Sequence, residues 1–197
     1  ALIIADQWLG WGQTYMLMGG LMLLAVLATL WGPEPEHPAQ APVSLGQAVV
    51  EPFREFFVRP QVWTLLLLIV LYKLGDAFAG ALSTTFLIRG AGYSPTEVGT
   101  VNKLLGLTAT IIGALAGGSL MAKLGLYRSL MAFGVLQAIS NFGYWLIAVG
   151  PQSIWLMAFG VGLENLCGGM GTAAFVALLM GLCNHQFSAT QFALLSA

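Results

Sequence analysis

Charge is what this chain has least of. Seven basic and eight acidic residues among 197 make up 8% of the sequence, against roughly 25% in an ordinary soluble domain. With a net charge of −1 there is no concentrated positive surface, which excludes nucleic acid as a partner. Histidine occurs twice, as His37 in a proline-rich stretch and His185 in a polar turn, and neither has partner spacing for a metal site. Cysteine also occurs twice. Cys167 and Cys183 fall about four turns apart in one predicted helix, too far for a bond within it, and read as small packing residues. Gly168-Gly169-Met170-Gly171 lies inside an apolar helix and follows no strand, so it is no nucleotide loop. No enzyme chemistry and no cofactor is expected. The chain opens at Ala1 without methionine or a signal-peptide pattern, and stops at Ala197 inside an apolar run. It reads as an internal piece of a longer chain.

What the chain has instead is long uncharged runs, and it reads as an integral membrane protein. A membrane-crossing helix needs about 20 predominantly apolar residues. Five complete spans are expected, at Gln13 to Trp31, Val62 to Ile88, Ser94 to Met121, Leu126 to Val149 and Ser153 to Leu182. Partial spans lie at both ends: Ala1 to Ala5 closes a preceding one and Ser188 to Ala197 begins a sixth. Asp6 to Gly12 reads as a turn with tryptophans at headgroup level. The expected class is an all-α transmembrane bundle.

Residues 32–61 separate the first two spans. Pro33, Pro35, Pro38 and Pro42 argue for an extended linker. In the second half Leu45, Val49, Phe53, Phe56 and Phe57 recur near helical spacing, with Gln47, Glu51, Arg54 and Glu55 between them and Pro52 interrupting. A short interfacial helix fits that pattern; an ordered loop packed on the bundle is the alternative. Arg54, Arg59, Lys123 and Arg128 fall on one side by alternation, and Arg89 on the other, which places the linker in the cytoplasm.

Against this background the buried polar residues stand out. Lys73 and Asp76, three residues apart, share a helical face about 15 Å into the second span, near mid-membrane. Charges are expensive there and mark solute or ion paths, although two opposite charges can also simply neutralise each other. Tyr72 adds a hydroxyl beside them. Glu164-Asn165 sits at similar depth in the fifth span among Gly160, Gly162, Gly168, Gly169 and Gly171. Those glycines permit either close helix approach or a local break. Asn102-Lys103 lies in the outer third of the third span, where Lys103 either snorkels to headgroups or forms a cationic mouth. Gln137 and Asn141, one turn apart, either bond across helices or line a cavity. Gly106, Thr110 and Ala114 are expected on one face of the third span, and Ala109, Gly113 and Gly117 on another. Of the aromatics, Phe78, Phe86, Tyr93, Phe142, Tyr144 and Trp145 have the chemistry to stack on a sugar ring, though most are expected against lipid or the core.

Several runs carry a resemblance: residues 71–79 (LYKLGDAFA), 85–90 (TFLIRG), 164–172 (ENLCGGMGT) and 184–197 (NHQFSATQFALLSA). They resemble the AmpG-type muropeptide permeases of the major facilitator superfamily, and the similarity runs along essentially the whole chain. Gly118 to Arg128 is similar to that superfamily's cytoplasmic loop motif but lacks its usual acidic residue. The resemblance implies a Gram-negative inner-membrane permease that imports anhydromuropeptides (GlcNAc-1,6-anhydro-MurNAc peptides) from periplasm to cytoplasm. Import would be proton-dependent, serve cell-wall recycling and be linked indirectly to beta-lactamase induction. Residues 1–31 would end an N-terminal bundle, 32–61 form the cytoplasmic linker, and 62–197 form an incomplete C-terminal bundle. Lys73 and Lys103 would then attract peptide carboxylates. Asn102, Gln137, Asn141 and Asn165 would offer polar contacts along the path, and Asp76 or Glu164 would titrate. Two rivals stand beside this: a related permease for another organic anion or a coenzyme A ester, and a structural or signalling membrane protein.

Overall fold

The structure, a computed structural model, describes residues 10–32, 45–184 and 187–196. The expected preceding span, most of the 6–12 turn, the proline-rich 33–44 stretch with His37, and His185 lie outside the described residues. Two compact units divide the chain, Ala1–Ala41 and Pro42–Ala197.

The first unit contributes α1, Gly10–Leu30, with no charged residue along its 21 positions. It starts three residues before the expected Gln13, so Gly10, Trp11 and Gly12 belong to the helix. The Thr14 hydroxyl donates to the Gly10 carbonyl at 2.9 Å and closes that first turn.

The second unit holds α2 (Leu45–Val58), α3 (Val62–Gly90) and α4 (Pro95–Leu124). It continues with α5 (Leu126–Ser140), α6 (Phe142–Val149), α7 (Ile154–Leu182) and α8 (Ser188–Ser196). Among the described residues five helical stretches, α1, α3, α4, α5 with α6, and α7, are long and apolar enough to cross a membrane. The protein is a multi-pass membrane protein.

Local chemistry explains where the helices start and bend. Ser94 and Glu97 form a reciprocal capping box with Pro95 at the first helical position of α4, satisfying end donors that a bilayer boundary would leave poorly solvated. α3 ends in a widened turn in which the Ala91 amide reaches back to the Phe86 carbonyl at 2.9 Å. A second widened turn, Val101–Gly106, carries Asn102 and Lys103. Just after it, the Thr108 and Thr110 hydroxyls donate to the Leu104 and Gly106 carbonyls at 2.6 and 2.9 Å. Such bonds draw carbonyls out of the regular ladder and bend helices. The fourth expected span is likewise divided, at Asn141, between α5 and α6. α4 hands over to α5 through Gly125 at φ +79°, a conformation that a side chain would strain.

The tightest packing joins α4 to α7. A Cβ on Gly113 would sit 2.1 Å from the Leu166 carbonyl oxygen, one on Gly117 2.7 Å from the Met170 Cα, and one on Gly169 2.3 Å from the Thr110 carbonyl oxygen. Backbone therefore touches backbone, as small residues permit in lipid. This corrects the expectation of two separate small-residue faces on α4. Gly106, Thr110, Gly113 and Gly117 form a single face, because residues three and four apart lie side by side on a helix. It also decides between the two readings of the α7 glycines, which serve close approach along an unbroken helix.

Buried apolar side chains gather in three groups. One lies toward the Gly90–Pro95 and Gly150–Ser153 turns and includes Leu87, Tyr93, Ile147, Met157 and Val161. The second, toward the opposite end, includes Phe56, Val62, Ile69, Phe175, Leu179 and Leu195. A third, smaller group holds Phe133, Met170 and Ala174. On α3 the polar pair falls between Ile69 and Leu87; on α7 the Glu164–Thr172 stretch falls between Val161 and Phe175. The polar residues thus occupy the gap between the two apolar ends.

Candidate functional site

α3 presents Lys73 and Asp76 on one face, and they pair: Lys73 Nζ lies 2.8 Å from Asp76 Oδ2. Gln137 of α5 donates its amide to the other carboxylate oxygen, Oδ1. Lys73 also donates to the Thr172 hydroxyl of α7 at 3.3 Å. Its ammonium stands 5.4 Å over the Phe175 ring, which stacks on Tyr72 with centroids 5.4 Å apart and planes within 1°. Three helices therefore converge on one ion pair. Both carboxylate oxygens have donors, and the cation has an anion, a hydroxyl and an aromatic face, which is what lowers the cost of charge at this depth. Neither side chain is sealed, with 37% of Lys73 and 21% of Asp76 still exposed.

Glycine makes this crossing possible. A Cβ on Gly171 would lie 2.7 Å from Gln137 Oε1, and one on Gly168 3.5 Å from its Nε2. Small residues on α7 leave room for the Gln137 side chain to pass and reach α3.

The second cluster is built on α7. Asn165 donates to Glu164 Oε2 at 3.1 Å and to the Val161 carbonyl at 2.8 Å. Its own oxygen lies 3.1 Å from the Thr110 hydroxyl, whose one proton is shared between it and the Gly106 carbonyl. The Tyr144 hydroxyl of α6 approaches Glu164 Oε2 at 3.5 Å, the outer limit of a hydrogen bond. Asn165 also fills the space over Gly106, where a Cβ would meet its amide nitrogen at 3.3 Å.

Of the residues singled out in the sequence, Lys73, Asp76 and Gln137 form the first cluster, and Glu164 and Asn165 the second. Asn141 stands apart from both. It lines a cavity of about 370 Å³ with Gly75, Phe78, Ser83 and Tyr144 among its neighbours. Gln137 and Asn141, though one turn apart, thus split the two roles considered for them. Asn102 and Lys103 sit in the widened turn of α4, with Lys103 exposed. Among the described residues Lys103 makes no salt bridge. Tyr72 turns to Phe175 and only distantly to the Leu130 carbonyl, at 3.5 Å.

Sequence reading missed Thr172 and Phe175, and took Thr110 only as a small packing residue, not as a polar neighbour of Asn165. Thr172 closes the 164–172 run, two turns beyond Glu164, and that spacing was the available signal. A third polar cluster was missed altogether. At the end of the unit where α2 meets α8, Arg59 pairs with Glu55 at 2.7 Å and donates to the Leu182 carbonyl at 2.5 Å, so a cation closes the C-terminus of α7. Gln191 of α8, only 1% exposed, donates to Glu55 at 2.5 Å and to the Pro52 carbonyl at 3.1 Å. Its oxygen accepts from the Asn184 backbone N–H at 2.7 Å. Desolvation disfavours the ionised Glu55, but hydrogen bonds from Arg59 and Gln191 and the Arg59 charge outweigh it, so its carboxyl titrates below the usual range. Burial pushes the Cys183 thiol up, against the opposing charge of Arg59. The Arg59 bridge also puts the start of α3 and the end of α7 on one side, as alternation of the spans requires.

Among the described residues no group of three or more histidine, cysteine or acidic side chains has the arrangement of a metal site. A family model described as Major Facilitator Superfamily matches residues 1–197. The anhydromuropeptide permease of Escherichia coli K12 is 60% identical over 197 residues, covering all of this chain and 40% of that protein. A Rickettsia felis protein bearing the name AmpG 4 is 39% identical over 150 residues, 76% of this chain and 36% of its own length. A Haemophilus influenzae protein is 35% identical over 199 residues, 95% of this chain and 47% of its own length. The chain thus spans less than half the length of each of these relatives.

Proposed function

Because this chain belongs to the major facilitator superfamily, we propose that it forms one wall of a permease importing anhydromuropeptides across a Gram-negative inner membrane. Residues 1–31 end one helical bundle, 32–61 link the bundles on the cytoplasmic side, and 62–197 build most of the second. The proton gradient drives uptake for cell-wall recycling, through which the protein influences beta-lactamase induction. The observation that carries this reading is the Lys73–Asp76–Gln137 cluster, an incompletely sealed ion pair held by three helices between two apolar ends. Its cation suits the carboxylates of a peptide stem, and Asp76 or Glu164 loads and releases the proton. Support for the solute comes from the name of the Escherichia coli relative and its 60% identity.

One observation favours a structural reading of the same cluster: Lys73 and Asp76 already satisfy each other at 2.8 Å. Uptake of labelled anhydromuropeptide by vesicles holding the full-length protein separates the two. Under an imposed proton gradient, Asp76→Asn or Glu164→Gln is expected to abolish accumulation while leaving counterflow exchange. Wild-type accumulation in both variants removes the proton role. Intact fold and intact flux in the Lys73→Met, Asp76→Leu double variant favour the structural reading.

A further inference from the structure

We propose that the cavity between α3 and the α5–α6 break is a subsite for one pyranose ring, distinct in chemistry from the Lys73 cluster beside it; it rests on the transport reading above. Three of the six aromatic residues singled out in the sequence meet here. Phe78 and Phe86 come from α3 and Tyr144 from α6, around a space of about 370 Å³. That is the lower end of the roughly 300–1,000 Å³ typical of small-molecule sites, room for a single sugar and not for a whole glycopeptide. Phe86 and Tyr144 stand edge to face with centroids 6.3 Å apart, backed by the apolar group of Leu87 and Ile147. Phe78 leaves 60% of its surface free. Gly75 keeps the floor open, since a Cβ there would meet nothing within 4 Å.

A pyranose presents an apolar C–H face and a rim of hydroxyls, and this cavity answers both. The free Phe78 ring supplies a flat apolar surface. Asn141 and Ser83 line the same space, giving an amide and a hydroxyl for rim groups or an N-acetyl carbonyl. The Tyr144 hydroxyl, 3.5 Å from Glu164, ties the cavity to the second polar cluster. Position matches as well. Phe78 lies two residues and Ser83 seven residues beyond Asp76 on α3, up to about 10 Å along the axis. Ser83 shares the Asp76 face of α3, so a solute engaging the Lys73–Asp76 pair from its carboxylate side would reach this space along the helix.

The test uses the full-length protein in nanodiscs, titrated calorimetrically with free anhydro-disaccharide and, separately, with free stem tripeptide. Phe78→Leu keeps apolar bulk but removes the flat ring, and Asn141→Ala removes the amide. Each is expected to weaken the disaccharide about tenfold, roughly 1.4 kcal/mol, and to leave the tripeptide within about twofold. Equal disaccharide affinity in wild type and both variants overturns the subsite, as does a parallel loss of both ligands. Wild-type protein that imports intact anhydromuropeptide yet binds no free disaccharide overturns the subsite and leaves the transport reading standing. Disaccharide binding that depends on Phe78 and Asn141, without any import, supports the subsite and removes the transport reading.

Discussion

Replacing Gln191 with leucine tests how α2 is fixed to the rest of its unit. The buried amide makes hydrogen bonds to the Pro52 carbonyl, Glu55 and the Asn184 backbone N–H. Leucine has nearly the same volume, so packing is largely kept and the polar contacts are what is lost. The bond to ionised Glu55 contributes about 1.5–3 kcal/mol and each neutral bond about 0.5–1.5. Glu55 keeps its bidentate partner Arg59, and leucine regains about 1 kcal/mol of apolar burial. The net loss is about 1.5–5 kcal/mol, confined to the joint between α2, α8 and the end of α7. Because α2 opens locally, the readout is amide exchange of residues 56–58 in the full-length protein, expected to speed up at least about tenfold. Exchange in α4, which contributes no residue to the Gln191 contacts, should not change. Acceleration below about threefold at residues 56–58 would refute the idea that Gln191 holds this joint.

Three further outcomes follow from the packing. Gly113→Ala would place a Cβ 2.1 Å from the Leu166 carbonyl, so α4 and α7 must part at a cost of about 3 kcal/mol or more. Gly118→Ala meets nothing and should stay within about 0.5 kcal/mol of wild type, both read from thermal unfolding of the purified protein. Lys73→Met alone leaves Asp76 with Gln137 but no cation and should destabilise by about 1–3 kcal/mol, while Lys73→Met with Asp76→Leu recovers most of that loss; strictly additive losses in a double-mutant cycle would refute the pairing. Glu55 has a depressed folded-state pKa, so its contribution is complete above its unfolded value of 4.5 and fades as pH falls through the lower folded value. Exchange in α2 should therefore accelerate only in acid, and Glu55→Gln should flatten that response.

Much of this was legible because lipid makes one-dimensional pattern strong. An uncharged run of 20 residues has few alternatives to a spanning helix, and Ser94-Pro95 with Glu97 announces its own start. The Lys73–Asp76 pairing was legible too, since both lie on one helix three residues apart. Helix ends were less so. Gly10 to Gly12 joined α1 because backbone bonding, not residue type, sets where a helix frays in an apolar setting. The α4 faces were misjudged because spacings of three and four merge on a real surface.

Composition and periodicity alone determined that this is a helical membrane protein, roughly where it crosses, and which polar residues must find partners at depth. Tertiary structure alone decided who those partners are. Gln137 reaches Asp76 across a gap opened by Gly171, and Gln191 finds Pro52 and Glu55 more than 130 positions away. Local spacing fixes contacts within one helix, whereas contacts between helices depend on rotation and depth, which side-chain volumes at each crossing set together.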